Sequence, residues 1–592
     1  MTAPKRALLA GTALAGGALA MSAAATWTAG QFGHHPLLGG TEVLGLHLYP
    51  PGKVFTWFPL FGGALWDLPG AFLQGVLLSG AAGVLSALFA LKSMVLGFGR
   101  GEQEPFGADH WGKLGDAVEA GFIMGKGRAP KESSQILFAG RFDRHLLTVT
   151  DGRHMMVYGP SGAGKTRGIV APSLLAWGAS ALVYAAGKAD VIDMTSGWRA
   201  TFSDVRVFDL GDPQGWRFNP LSEIRIGTAH EISDAMLVAQ QFPPKAAAES
   251  TDPFWDIEGT RLLSAVILHV LYTAPVDKRH LGTARRLLHH GARTLADALR
   301  ASPHHYVREC ATSLLEREER SRDSILGTAA SYLGPWASPI VEEVTDRSDF
   351  RLSDLVAGDK PMTLYLRLPS DKREVWRPVL KVIIAQFTRA MMADEHHMPD
   401  GRSKRHKLLL ALDEFHSFGI GGFGADMAEM RSYGVQCLLA TQSPRSLEGT
   451  YGRHQTITEN CRVQVFMASG DPQTLRAVSD MIGPATELRA ARSRSRPIGQ
   501  LLGGQHSTSE MEQVRAVLDT GKVRAFDNDR MIVLPTGHKP FQVEKMLDFD
   551  RHPPFRDRVL PTATRRPGRA LIAGPGPEVG GIGLKRALST LQ

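Results

Sequence analysis

Residues 154–177 read HMMVYGPSGAGKTRGIVAPSLLAW, and the fold turns on how this stretch divides. His154–Tyr158 is an apolar run of β type, and Thr166–Trp177 reads as a helix. Between them Gly159, Pro160, Ser161, Gly162, Ala163, Gly164, Lys165 and Thr166 make a complete phosphate loop. The glycines let backbone N–H groups curl around a β-phosphate, Lys165 reaches the β and γ oxygens, and the Thr166 hydroxyl faces a Mg²⁺ ion at the positive helix end. The spacing predicts binding of ATP with Mg²⁺, and a strand–loop–helix unit predicts an α/β sheet.

The rest of that sheet follows from similar runs. Ala181–Tyr184, Val205–Leu210, Thr363–Leu368, Leu408–Leu412, Val435–Ala440, Arg462–Met467 and Met531–Leu534 are short and continuously apolar, and turns or helical stretches bound them. Such runs predict parallel strands buried on both faces. Leu408–Leu412 leads into Asp413-Glu414, at the strand end where α/β sheets hold ligands. Asp413 is expected on the metal side with Thr166, and Glu414 is expected to orient or deprotonate the attacking water. Gln442 ends the next strand and is a candidate γ-phosphate sensor. Arg431 stands 18 residues after Asp413, at the far end of the intervening helix, better placed to reach a neighbouring subunit's nucleotide than its own. The four expected catalytic residues are thus Lys165, Glu414, Arg431 and Gln442.

Charge is scarce at the N-terminus. Between Arg6 and Lys92 only Glu42, Lys53 and Asp67 are charged, and stretches 7–30 and 68–91 each reach the roughly 20 residues that span a bilayer. Lys5 and Arg6 before the first, and Lys92, Arg100 and Lys113 after the second, place both flanks inside. The expectation is a multi-pass membrane protein with a large cytoplasmic C-terminal part. A cleaved signal peptide is the alternative for the first stretch. Over the whole chain, 43% hydrophobic and 21% charged residues exclude a disordered protein. Three scattered cysteines exclude a disulfide framework, and a net charge of +8 over 592 residues is weak evidence for a polyanionic partner.

The expected organisation is a membrane region over 1–100 with an external loop at 31–67, then a linker over 101–133. A motor domain is split across 134–230 and 346–557, with an all-α domain at 231–345 and a disordered tail over 558–592. His230-Glu231 begins like a zinc-protease helix, but Asp234 occupies the position of the second histidine. His289-His290 and His304-His305 are read as neighbours on helical stretches that point apart. Arg489, Arg492, Arg494 and Arg496 fall in what reads as a Ser-rich loop, where they would meet nucleic-acid phosphate or only solvent.

Several signatures occur together in one order. The helix after the phosphate loop runs Gly168-Ile169-Val170-Ala171-Pro172-Ser173-Leu174-Leu175, and Phe218-Asn219-Pro220-Leu221 and Asp252-Pro253-Phe254-Trp255 follow. Asp413-Glu414-Phe415, Arg431-Ser432-Tyr433-Gly434, Gln442-Ser443, Tyr451-Gly452 and Asn460-Cys461 complete the series. In these residues the chain resembles the TraG-type coupling ATPases of type IV secretion and conjugation systems, from the membrane pair to about residue 557. The resemblance implies a RecA-like P-loop NTPase domain with an inserted all-α domain, anchored in the bacterial inner membrane by two preceding transmembrane helices and assembled as a hexameric ring. It also implies ATP hydrolysis coupled to delivery of relaxase-bound single-stranded DNA, or of protein effectors, to the secretion channel components. A membrane docking platform that binds nucleotide with little hydrolysis is a further reading. One departure stands out: the family's Asp-Pro-Lys-Gly-Glu turn is replaced by Ala185-Ala186-Gly187-Lys188-Ala189-Asp190, which puts in doubt how nucleotide state is coupled to movement.

Overall fold

The computed structural model describes residues 3–43, 46–61, 68–95, 111–123, 135–185, 190–243, 253–495, 505–516 and 527–563. They fall into two compact units, Met1–Gly107 and Ala108–Gln592.

In the first unit the helices Ala3–Gln31 and Gly70–Val95 pack along their length. The pairing is antiparallel: Gly17 lies against Ser86, Met21 against Gly83 and Thr28 against Gly75. A Cβ on Gly75 would meet Thr28 Oγ1 at 1.9 Å, so glycine sets the closeness of the pair. Two spans were expected, whereas among the described residues one helix, Gly70–Leu91, is long and apolar enough to cross a membrane. The first stretch is helical, but its Ala, Gly and Thr side chains carry little apolar area each. The connecting segment contains a short hairpin, β1 (Thr41–Val43) with β2 (Leu46–Leu48). It shares a core with both helices, where Tyr49, Val54 and Trp57 pack with Ala25, Ala29 and Phe72, and the Trp57 indole N–H donates to the Leu38 carbonyl at 3.0 Å.

The second unit is built on an eleven-stranded sheet. Its strands are β3 (Leu137–Phe142), β4 (His145–Val149), β5 (Met155–Tyr158), β6 (Ser180–Ala185), β7 (Asp204–Asp209), β8 (Met362–Arg367), β9 (Leu408–Leu412), β10 (Val435–Thr441) and β11 (Val463–Met467). A separate antiparallel pair, β12 (Pro484–Ser495) and β13 (Gln505–Ala516), precedes the last two, β14 (Arg530–Pro535) and β15 (Phe541–Glu544). The order across the sheet is β4-β3-β15-β14-β11-β5-β10-β9-β6-β8-β7.

From β11 to β7 every pairing is parallel, and β5, β6, β9 and β10 are buried at every position. Alternate residues serve opposite faces: Met156, Tyr158, Leu182 and Leu410 join one core, while Met155, Val157, Val183 and Leu409 join the other. Two covered faces explain why these strands read as unbroken apolar runs.

The Met531–Leu534 run behaves differently from the expectation of a parallel sheet. β14 pairs antiparallel with β11, and β15, β3 and β4 continue antiparallel. Its partner β15 follows after the short turn 536–540, and a connection that short joins only antiparallel strands. Arg489, Arg492 and Arg494 likewise lie in β12, a strand and not a loop, and Arg496 falls outside the described residues.

Between β7 and β8 the chain is helical among the described residues, with helices Glu231–Ala239, Pro253–Thr273, Leu281–Leu288, Ala292–Arg300, His305–Leu315 and Glu319–Tyr332. Their apolar sides merge with the core on one face of the sheet. His304 and His305 do not point apart: their rings stack with centroids 4.9 Å apart. The reason is that His304 is the extended N-cap residue (φ −85°, ψ 126°), not part of the helix. Its Nε2 lies 2.9 Å from Glu231 Oε1.

Residues 558–563, read in the sequence as the start of a disordered tail, pack against the sheet's other face. Arg558 is buried and donates to the Leu175 carbonyl at 2.9 Å, and the Ala563 N–H donates to Ser196 Oγ at 3.1 Å. The remainder of that tail, 564–592, lies outside the described residues. Gly197 lets the strap approach, since a Cβ there would meet the Pro561 carbonyl oxygen at 2.2 Å. Gly197→Ala is therefore expected to destabilise the protein by about 1–3 kcal/mol, read as a lower thermal-unfolding midpoint of the full chain. An unchanged midpoint would show that the strap contributes nothing.

Candidate functional site

Because β5 is central and parallel, its C-terminal end delivers the phosphate loop to the open edge of the sheet. Gly162 (φ 80°) and Gly164 (φ 91°) occupy the left-handed region that side chains disfavour. The loop is held from three sides. The Gly159 N–H donates to the Thr441 carbonyl at the end of β10 (3.1 Å). The Lys545 ammonium donates to the Ala163 carbonyl (3.1 Å), and Leu547 fills the space beside Gly164 that a Cβ would need.

Lys165 is 7% exposed and donates to the Gly159 and Pro160 carbonyls at 2.6 and 3.1 Å. Burial lowers its pKa, and the carboxylates of Asp413 and Glu414 oppose that shift. The Thr166 hydroxyl donates to Asp413 Oδ2 at 2.7 Å. The loop's hydroxyl and the strand-end acid, 247 residues apart, thus meet at one point. Hard oxygen donors of this kind suit Mg²⁺, so Thr166 and Asp413 fit the ion that the phosphate loop implies.

The Glu414 N–H donates to Asp413 Oδ1 (3.0 Å), and Glu414 itself is left-handed at φ 49°. Its carboxylate accepts from Arg373 Nη1 at 2.5 Å. Gln442 directly follows β10, whose last residue Thr441 pairs with Tyr158 at the mouth of the loop; its side chain is exposed. Arg431 lies elsewhere. It is exposed at the C-terminal end of the Phe423–Met430 helix, and its side chain passes Gly152, just before β5 begins. The structure therefore brings Lys165, Thr166, Asp413, Glu414 and Gln442 to one edge and leaves Arg431 at the opposite one.

The family model for type IV secretory system conjugative DNA transfer matches residues 110–568. The chain belongs to that family. Among individual relatives of this conjugative-transfer family member, the conjugal transfer protein TraG of Escherichia coli is 28% identical over 547 residues, covering 84% of this chain and 82% of TraG. Protein VirD4 of Rhizobium radiobacter is 26% identical over 525 residues, covering 84% of this chain and 71% of VirD4. Among solved structures, the unbound conjugative coupling protein TrwBdeltaN70 aligns with a TM-score of 0.57 and 15% identity, over 76% of this chain and 95% of that one. TrwB in complex with ADP and Mg²⁺ aligns with a TM-score of 0.56 and 15% identity, over 74% and 94%. At that identity the likeness establishes a shared α/β fold.

Several site residues of this coupling-family chain had no sequence signal. Arg373, the partner of Glu414, begins the Arg373–Met392 helix. His416, three residues past Asp413, lies with Nδ1 3.1 Å from Thr441 Oγ1, and its pKa is lowered by burial and then by the Lys165 and Arg377 charges. The hydroxyl of Tyr184, at the end of β6, is pushed up to about 12 chiefly by burial. The replaced turn is described only at its ends: Ala185 closes β6 and Asp190 opens a helix, while 186–189 lie outside the described residues.

Proposed function

We propose that this chain is the membrane-anchored ATPase that couples ATP hydrolysis to recruitment and translocation of conjugative DNA, a relaxase-bound single strand, into a type IV secretion channel. The observation that carries this reading is the Thr166–Asp413 hydrogen bond in a member of the conjugative DNA transfer family. It joins a phosphate loop to a metal-side acid at the ligand edge of a parallel sheet. In this reading the loop 159–166 cradles the ATP phosphates, Lys165 clamps the γ-phosphate, Glu414 takes the proton of the attacking water and Gln442 senses the γ-phosphate. Thr166 and Asp413 would hold the Mg²⁺, which when bound would supply positive charge against the phosphate oxygens. Arg431 serves a neighbouring subunit's site, which requires a ring, taken here as a hexamer.

The domain reading assigns 134–230 with 346–557 to the motor, 231–345 to an all-α domain and 1–100 to the inner-membrane anchor. Two spans are favoured over a cleaved signal by the antiparallel pairing of Ala3–Gln31 with the apolar helix. Small residues at its contacts, Gly17 on Ser86 and Gly75 on Thr28, are the kind that let membrane helices approach.

Lys165→Ala tests the reading. Loss of the buried cation should lower ATP hydrolysis by about 10²–10³-fold, as removal of one preorganised electrostatic group does, in protein that stays folded and membrane-bound. Hydrolysis or DNA transfer at the parental level would leave a nucleotide-binding docking platform instead.

A further inference from the structure

The Arg373–Glu414 pair has a structural setting that a chance surface ion pair lacks. Both side chains are about three-quarters buried, at 25% and 23% exposure. Arg373 follows β8, and β6 lies between β8 and β9, the strand that leads into Asp413 and Glu414, so the guanidinium reaches across the end of β6 to make the contact. At Glu414 the backbone sits at φ 49°, a conformation that is strained for a non-glycine residue and persists only where neighbours hold it. The Asp413 carboxylate holds the Glu414 N–H, and Arg373 holds the carboxylate. The guanidinium occupies an acceptor site on Glu414 Oε2 and fixes where the carboxylate points.

The helix that carries Arg373 leads away from the site. Its 20 residues span about 30 Å, and the helix packs on the Glu231–Ala239 helix and on the Gly334–Ala337 turn of the all-α segment. Farther along, Gln386 Nε2 donates to the Pro220 carbonyl (2.9 Å), and Arg389 pairs with Asp426 at 3.2 Å. Pro378 lies inside the helix. It has no N–H to give the Glu374 carbonyl, so the first turn, with Arg373 on it, is joined to the rest through a weakened ladder.

We propose that Arg373 is a positioning residue that holds Glu414 away from the attacking water, and that movement of the all-α segment along this helix breaks the pair and permits hydrolysis. The inference rests on the ATPase reading above and adds to it the regulation of the same site. Cargo engaged by the helices would thereby set the rate at the nucleotide, with the Arg373 turn as the moving part.

The test compares the full-length protein in lipid nanodiscs with its Arg373→Gln and Arg373→Lys variants, assayed for ATP hydrolysis with and without a single-stranded oligonucleotide. Arg373→Gln should raise the oligonucleotide-free kcat about tenfold with KM unchanged, and should shrink the stimulation by oligonucleotide. Arg373→Lys, which keeps a cation at the position, should stay near the parental basal rate. If the glutamine variant does not fold, Arg373→Met keeps the aliphatic stem without the charge and reads the same quantity. A folded Gln or Met variant whose basal kcat is unchanged or lower overturns the latch. Failure of the parental protein to hydrolyse ATP at all overturns the ATPase reading instead, so the two failures are distinguishable.

Discussion

Arg431→Ala is expected to reduce ATP hydrolysis by 10³–10⁵-fold, the range that an arginine supplied in trans contributes to phosphoryl transfer, while leaving the folded monomer intact. The stability expectation follows from its setting: Arg431 is exposed at a helix end, beside Gly152, where a truncation removes little packing. The rate expectation follows from the division of the site. Within one subunit Arg431 lies where β5 begins and the phosphate loop lies where β5 ends, so its charge is of no use to its own nucleotide. Mixing separates the trans role from any other. In a ring of Arg431→Ala and Lys165→Ala subunits, some interfaces join the intact loop of the first kind to the intact arginine of the second. Those sites should restore hydrolysis above either variant alone. A mixture no more active than its components, at concentrations where the ring forms, would return Arg431 to an ordinary solvated residue.

The contrast between Arg431 and Arg373 shows where sequence reasoning works on this fold. The buried parallel strands were legible because two covered faces demand apolar residues at every position, and the observed β9 coincides with Leu408–Leu412 as read. Asp413 and Glu414 could be found because a strand end needs no knowledge of tertiary contacts. Strand direction was less legible: an apolar run such as Met531–Leu534 carries no sign, and only the short 536–540 connection betrays the antiparallel pairing. Arg373 left no trace, since its role depends on a contact 41 residues away in the chain and across an intervening strand. Arg199 is a similar case. It is fully buried and donates to the Leu174, Trp177 and Ala179 carbonyls and to Thr363 Oγ1, a structural use of a charge that periodicity reads as solvated. The positive φ of Glu414 was equally hidden, because the residue type gives no warning of it.

Glu414→Gln is expected to lower kcat by about 10²–10⁴-fold, the usual contribution of a positioned general base, with nucleotide affinity retained. The amide matches the carboxylate in shape and still accepts from Arg373 through its carbonyl oxygen, so the local fold should survive, but it cannot take a proton. Lys165→Ala removes a cation that touches the phosphates and should weaken binding as well as rate. The two variants therefore differ in whether KM moves. The glutamine variant also decides what Arg373 does. If Arg373 acts only by restraining Glu414, then Glu414→Gln with Arg373→Gln should be no faster than Glu414→Gln alone, because there is no base left to release. Retention of hydrolysis within tenfold of the parental rate in folded, nucleotide-binding Glu414→Gln protein would remove Glu414 from the chemistry and the basis of the latch with it.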